Sequence, residues 1–381
     1  TVTWTDMPGG THAITAEAID QTGAATVSTA VTLTAVIRIM PLGNSITYDN
    51  YSGDTRPEGQ RTAYRMPLWY QLDGAGYSVD FVGHLSAGYD ITPAFDPNNN
   101  GIPGIRDDQL AYLLQTGYQQ CSWDNGPKQI TNGPYLEFYP ADILLLHIGT
   151  NGVGSSAADV VDILDEVDAY ESGSGNPVTV VLARIINRQT YDQTTTDFND
   201  NVEAMARDRI AAGGDRIILV DMEDGAGIDY STEMIDNLHP TQAGYDKMAQ
   251  VWYSAVSPLL DGAPHVSIVS PLDGDSVFAT DLTIAAGAHD LDGSVTKVEF
   301  FADGIKIGED ATSPYSLAWN ALPRGVHTLT AEAVDNNGTV TVSLDSDVQS
   351  LNDLIADIRD DVVPSGVGID VREDPDNPGR L

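Results

Sequence analysis

Hydrophobic and polar residues follow two different rhythms along this chain. Between residues 37 and 258, apolar runs of four to six residues alternate with longer stretches in which apolar positions recur every three or four. Short apolar runs bounded by Gly, Asn or Asp predict strands buried on both faces, and the longer period predicts amphipathic helices packed against them. The predicted strands are Ile37–Leu42, Ser78–Val82, Ile143–Ile148, Val178–Ala183 and Ile217–Val220; the predicted helices are Ala63–Leu72, Ala157–Ala169, Asp197–Ala212 and Thr241–Val256. Strands alternating with helices argue for an α/β domain, a parallel five-stranded sheet covered by helices on both faces. Ligands of such sheets sit beyond the carboxyl ends of the strands, so chemistry is expected there.

Both ends of the chain instead alternate apolar and polar residues one by one, with Pro-Gly, Gly and Asn turns, the pattern of short antiparallel strands in a β-sandwich. The ends are also copies of each other. Residues 1–28 align without a gap on residues 316–343, matching Trp4 to Trp319, Pro8 to Pro323, His12 to His327 and the run Thr15–Ala18 to Thr330–Ala333. The later copy is preceded by about fifty more strand-like residues, including a hairpin signal at Asp303-Gly304. Residues 264–348 therefore read as a whole module and residues 1–36 as the last third of another, whose front is expected to precede Thr1. Both resemble the bacterial immunoglobulin-like domains strung along secreted polysaccharide-degrading enzymes. Residues 349–381 fit a linker or a docking helix equally well.

With 381 residues, two or three domains are expected. Charge narrows the partners: 56 Asp and Glu stand against 18 Lys and Arg, a net charge of −38. Such a surface repels phosphate backbones and anionic lipid, which argues against nucleic-acid and membrane partners. It suits a saline setting, where counterions screen self-repulsion, and equally an ordinary acidic exported bacterial protein. The single cysteine, Cys121, excludes an internal disulfide and a Cys-rich zinc site. No apolar stretch approaches the roughly 18 to 20 residues that cross a bilayer, and Thr1 opens on strand-like sequence without a signal peptide.

The end of the first strand runs into Gly43-Asn44-Ser45, a place where a serine can attack if a base takes its proton. Of seven histidines, His12 and His327 belong to the repeat, His265 to a module boundary, His147 to an apolar strand and His84 to a loop. His239 differs. It stands in Asp236-Asn237-Leu238-His239-Pro240 just ahead of a predicted helix, a spacing that lets the carboxylate hold one ring nitrogen while the other faces a serine. Taken singly, Gly-Asn-Ser is an ordinary turn and Asp-x-x-His-Pro an ordinary helix cap.

Taken in order, GNSI, the GTN of LLLHIGTNG and the DNLHP block resemble the signature of the SGNH, or GDSL-like, hydrolases over about residues 37–258. RIMPLGNSIT, YRMPLWYQLDGAGYSVDFVG, DILLLHIGTN and DNLHPTQAGYDKMAQVW are similar to carbohydrate esterase family three, which includes acetyl xylan esterases. The resemblance implies a flavodoxin-like three-layer fold and no cofactor. It implies Ser45 as nucleophile, His239 as general base and then acid, and Asp236 as its orienting carboxylate. The oxyanion hole it implies comprises the N–H groups of Ser45 and Gly104 and the side-chain amide of Asn151, with Gly83 competing for the place of Gly104. Ile102 replaces a histidine usual in that glycine block, and Asn44 an aspartate. Gly152 replaces the aspartate that usually follows GTN and supports the loop, which predicts a looser site.

Tyr48, Arg65 and Trp69, with Tyr51 and Tyr89, are candidates for lining a sugar cleft, although Arg65 and Trp69, four apart on a helix, also read as a packing pair. Asp290, Asp292 and Asp303 offer oxygen ligands for calcium, against the plainer explanation of acidic turns. The reading is a secreted serine esterase that removes small acyl groups, acetyl above all, from polysaccharide. A lipid or aryl carboxylesterase on the same scaffold and an inactive carbohydrate-binding or adhesion protein are its rivals.

Overall fold

The computed structural model describes residues 10–342 apart from 153, 274, 276–280, 324, 337 and 339. Trp4, Pro8, the last residues of the second module and the tail at 349–381 lie outside the described residues. The chain divides into two compact units, Thr1–Arg209 with Asp215–Gly262, and Ile210–Gly214 with Ala263–Leu381.

In the first unit the apolar runs form the parallel part of a seven-stranded sheet, one edge strand of which runs antiparallel to its neighbour. Its strands are β1 (Ile37–Gly43), β2 (Val79–Phe81), β3 (Leu85–Ser86), β4 (Asn98–Gly101), β5 (Ile143–His147), β6 (Thr179–Arg184) and β7 (Ile217–Asp221). The order runs β7, β6, β5, β1 and then β2, the five predicted strands, all parallel. Every residue of β5 is buried, as is all of β1 except Arg38, which explains their unbroken apolar sequence. The short strands β3 and β4 were not expected, because Asn-Asn-Asn-Gly has little strand propensity. Asn99 offsets that by satisfying itself: its amide donates to the Pro97 carbonyl and accepts from the Gly101 N–H.

This addition solves a problem posed by Pro41, a residue without an N–H in the middle of a central strand. Along one edge, β1 pairs with β2 through Ile37–Ile39 and with β4 through Leu42 and Gly43. The Ile39 and Gly43 carbonyls accept from Val82 N and Ile102 N, so residues 39, 41 and 43 turn their backbone groups to that edge. Pro41 falls in the gap between the two partners, where no donor is required.

The helices are α1 (Ser45–Tyr48), α2 (Arg65–Gly74), α3 (Asp107–Thr116), α4 (Tyr135–Phe138), α5 (Ala158–Ser174), α6 (Gln193–Ala212) and α7 (Gln242–Leu260). α2 packs on α7 and α3 on α5, giving the three-layer α/β fold expected. α6 starts before the expected Asp197, over the β-branched run Thr194–Thr196. Asp192 caps it through the Thr194 N–H, which outweighs the poor helix propensity of threonine.

Ahead of β1, Gly10–Ile14 pairs with Val31–Ala35 and Glu17–Ile19 with Ala25–Val27. The second unit holds a three-stranded antiparallel sheet (His265–Ser270, Asp281–His289, Tyr315–Asn320) and a four-stranded one (Val295–Ala302, Ile305–Asp310, Leu329–Asp335, Val340–Val342). Ile284, Ala286, Val298, Phe300, Ala331 and Ala333 fill the space between them, as in an immunoglobulin-like sandwich. The hairpin turn falls at Asp303 and Gly304, both with positive φ. Leu329, Ala331 and Ala333 are buried here, whereas Ile14, Ala16 and Ala18, their counterparts in the repeat, are exposed.

The expected calcium trio does not assemble. Asp290 and Asp292 precede the eight-residue strand Val295–Ala302 and Asp303 follows it, a separation of roughly 25 Å. The Asp303 carboxylate instead accepts from the Thr328 N–H and faces His327. Among the described residues no group of three or more His, Cys, Asp or Glu is arranged to hold a metal ion.

Candidate active site

β1 ends in Gly43, whose α-carbon lies against the His147 carbonyl and the Thr47 hydroxyl, leaving no room for a side chain. The chain then turns directly into α1. Asn44, fully buried, caps that helix by accepting the Ile46 N–H at 3.0 Å through its side-chain oxygen, the capping bond an aspartate would also make. Ser45 is the first helical residue and stands at the carboxyl end of the sheet.

Its Oγ lies 2.9 Å from Nε2 of His239. The other ring nitrogen, Nδ1, lies 2.9 Å from each oxygen of Asp236. An ionised carboxylate only accepts, so Nδ1 carries the proton and Nε2 presents its lone pair to the serine hydroxyl. Partial burial pushes the Asp236 carboxyl up, but the N–H groups of Leu238 and His239 and the imidazole outweigh it and hold it below its ordinary range. The carboxylate thus shapes the Asp236–His239 loop while orienting the ring. The Thr190 N–H and Gln189 N–H bind Asn237 from the loop after β6 and brace it from outside.

Ile102-Pro103-Gly104-Ile105 forms a tight turn closed by Ile105 N to Ile102 O at 3.1 Å. With proline second and φ of +79° at Gly104, it has the form of a type II turn. A side chain at Gly104 would meet open space, so conformation rather than crowding calls for glycine. Gly83, the competing candidate, is walled in by the backbone of Asn99 and Asn100. The Asn151 amide donates to the Ile105 carbonyl at 3.0 Å. One of its hydrogens therefore ties the GTN turn to the Gly104 turn while the second remains to be donated elsewhere.

Gly152 does not leave the expected slack, because a side chain added there would meet the carboxylate oxygens of the buried Asp107 at 3.2 and 3.3 Å. Asp107, at the start of α3, occupies that space from a neighbouring segment.

The cleft-lining expectations fare differently. Arg65 is wholly buried, and its guanidinium donates to the carbonyls of Thr47, Tyr48, Arg61, Ala87 and Pro97. It cannot meet a substrate; it holds the carboxyl end of α1 in place. Burial pulls its pKa down to about 10, against the smaller opposing pull of Tyr64 and Asp49. Tyr48 is 2% exposed, edge-on to Trp123, and Trp69 packs edge-on against Phe81. All three are packing residues. Tyr89 is exposed and borders Gly59. Tyr51 does lie at the site, half-buried, its ring centroid 6.3 Å from that of His239.

Arg188, missed in the sequence, joins the site by donating to the Thr150 carbonyl and to Asp192. Nothing in the local pattern distinguishes it from other surface arginines. His147 is fully buried and accepts from the Ile186 N–H, and burial pulls its pKa down to about 4. The plain reading of it as a core histidine stands. Cys121 is a buried free thiol.

Residues 39–252 match the family described as GDSL-like Lipase/Acylhydrolase, and residues 264–331 match the Bacterial Ig domain. A multidomain esterase of Ruminococcus flavefaciens is 28% identical over 292 residues, which cover 70% of this chain and 34% of that protein. The chain thus spans about a third of that relative's length. Among solved structures, a family 3 carbohydrate esterase from Clostridium thermocellum is 22% identical, covering 60% of this chain and 98% of its own, with a TM-score of 0.45. One from Talaromyces cellulolyticus is 20% identical, covering 59% and 99%, with a TM-score of 0.44.

Proposed function

The chain belongs to the GDSL-like lipase/acylhydrolase family, a family of carboxylic ester hydrolases, and on that premise we propose that it is a serine esterase removing acetyl groups from polysaccharide. The observation that carries the mechanism is the unbroken line of contacts from Ser45 Oγ through His239 to Asp236, each 2.9 Å.

Ser45 Oγ attacks the ester carbonyl carbon as its proton passes to His239 Nε2. The carbonyl oxygen becomes an oxyanion, held by the N–H groups of Ser45 and Gly104 and the free hydrogen of the Asn151 amide. Fixed donors of this kind are worth on the order of 3 kcal/mol each to the barrier. The tetrahedral intermediate collapses as the imidazolium gives its proton to the leaving alkoxide, which departs as a sugar hydroxyl. Water, deprotonated by the same nitrogen, then attacks the acyl-enzyme and releases acetate. Asp236 keeps the ring in the productive tautomer and balances the imidazolium charge.

The half-buried Tyr51 and the ion-paired residues around it support a sugar leaving group over a lipid one. The bacterial immunoglobulin-like domain supports an extracellular setting, and no described helix is long and apolar enough to cross a membrane. The test offers acetylated xylan and 4-nitrophenyl esters of rising acyl length to the protein and to Ser45→Ala. Ser45-dependent release of acetate from xylan, and preference for the shortest acyl group, is expected. Equal turnover by both proteins refutes the mechanism; activity confined to long acyl chains refutes the substrate.

A further inference from the structure

Tyr51 stands beside the imidazole that returns the proton to the leaving group. In an attack by Ser45 with proton return from His239 Nε2, the ester's alcohol oxygen lies beside Nε2. The rest of the alcohol then extends past the imidazole. The Tyr51 ring, its centroid 6.3 Å from that of the imidazole and tilted 47° to it, is within reach of a group that extends that way.

The ring is also held rigidly. It belongs to the loop that follows α1, which Asp49 turns with φ of +72°. The Asp54 N–H donates back to the Tyr51 carbonyl at 3.1 Å. Arg56 sits 5.5 Å from the ring centroid and is gripped by both oxygens of Asp49, at 2.8 and 2.9 Å, and by both of Asp54. Arg61 reaches from behind to Asp54, Asn50 and the Asp49 carbonyl. The Asp49 and Asp54 carboxylates are buried and Arg61 nearly so, while Arg56 is about one-third exposed, so the Arg61–Asp54 pair is shielded from water and braces the loop, and the Arg56 pairs are shielded in part. With Arg56 neutralised by two carboxylates, the loop presents an aromatic ring rather than a charge. An ordered aromatic ring gives up little rotamer freedom on binding and covers the apolar C–H face of a pyranose.

We propose that Tyr51 is the specificity-determining platform for the leaving sugar, selecting the alcohol half of the ester and not the acyl half. The inference rests on the esterase reading above and adds the side of the substrate that this residue reads.

The test is a two-way substrate matrix with the full chain, Tyr51→Ala and Tyr51→Phe. One axis varies the leaving group at constant acetyl, from ethyl acetate to an acetylated methyl xyloside and acetylated xylo-oligosaccharides. The other varies the acyl group, from acetyl to butanoyl, at constant ethanol. Tyr51→Ala is expected to lower kcat/KM on the sugar acetates about tenfold more than on ethyl acetate, or roughly 1.4 kcal/mol, with no change in the ratio of acetyl to butanoyl. Tyr51→Phe, which keeps the ring, is expected to restore the sugar preference. Equal losses on all substrates overturn the proposal and make Tyr51 a support for His239. An unchanged sugar preference, or a changed acyl preference, also overturns it. If the unaltered chain cleaves ethyl acetate through Ser45 but no sugar acetate, the polysaccharide reading fails and the platform with it. Sugar-acetate cleavage with a silent Tyr51→Ala sinks the platform alone.

Discussion

Replacing Arg65 by lysine keeps the charge and removes the geometry. The guanidinium has five N–H donors, and five carbonyl oxygens from four stretches of chain accept them, four at 2.9–3.2 Å and that of Tyr48 at 3.4 Å. An ammonium offers three donors from a single atom, and the Pro97 carbonyl keeps its bonds from the Ala87 N–H and the Asn99 amide, so at least one buried carbonyl loses its side-chain partner at about 1–3 kcal/mol. The expected loss of stability in the first unit is therefore at least about 1–3 kcal/mol, on the order of 5 °C in its melting temperature. Two of the carbonyls belong to Thr47 and Tyr48, at the carboxyl end of the turn that begins with Ser45, so kcat should fall more than KM rises. Urea unfolding followed by tryptophan emission measures the first quantity, and steady-state kinetics on 4-nitrophenyl acetate the second. Arg38→Lys is the control, since the Arg38–Asp142 pair is partly solvent-exposed and worth about 1 kcal/mol or less. If Arg65→Lys destabilised no more than Arg38→Lys, the claim that the buried guanidinium organises this region would be wrong.

Other consequences can be measured on the same material. Asn151→Ala should lower kcat on the order of a hundredfold with a smaller effect on KM, since its amide is assigned to the oxyanion; stopped acetate release on 4-nitrophenyl acetate reads this directly. Gly104→Ala should cost about 1 kcal/mol through its left-handed φ alone, whereas Gly83→Ala meets the Asn99 backbone and should cost several-fold more in urea unfolding. His147 stays neutral in the fold down to about pH 4, whereas an unfolded histidine binds a proton below about 6.5. Between those values the unfolded state therefore holds the extra proton. Its contribution is complete above pH 6.5 and is lost as pH falls towards 4, by on the order of 3 kcal/mol. His147→Gln should flatten that part of the stability–pH curve. With a net charge of −38, melting temperature should rise between 0.05 and 1 M sodium chloride, as screening relieves repulsion.

Much of the fold was written in the pattern of apolar runs. Ile37–Leu42 and Ile143–Ile148 are buried on both faces and could not have been anything but central strands once helices were seen between them. Ser45, Asp236 and His239 were legible because motif order, helix start and strand end all pointed to one place. What escaped the sequence depended on tertiary context. Asn98–Gly101 forms a strand because β1 offers it an edge beyond Pro41, and its own side chains give no hint. The helix Asp107–Thr116 had no place among the predicted elements, although Leu110, Leu113 and Leu114 recur at helical spacing. Arg65 read as a cleft residue or as a packing partner of Trp69, since charged residues are seldom buried without a counter-ion. Its burial follows from five carbonyls that come together only in the folded chain. Tyr48 and Tyr51 are three apart, yet the end of α1 turns the first into the core and the second to the site.

The central claim is that Ser45 is the activated nucleophile, and covalent labelling tests it most directly. The protein, Ser45→Ala and His239→Ala would each be treated with diethyl 4-nitrophenyl phosphate, then digested and analysed by mass spectrometry. The account predicts one diethylphosphoryl group, on the peptide bearing Ser45, absent in Ser45→Ala and formed far more slowly in His239→Ala. Labelling at another serine, or equal rates with and without His239, would contradict it.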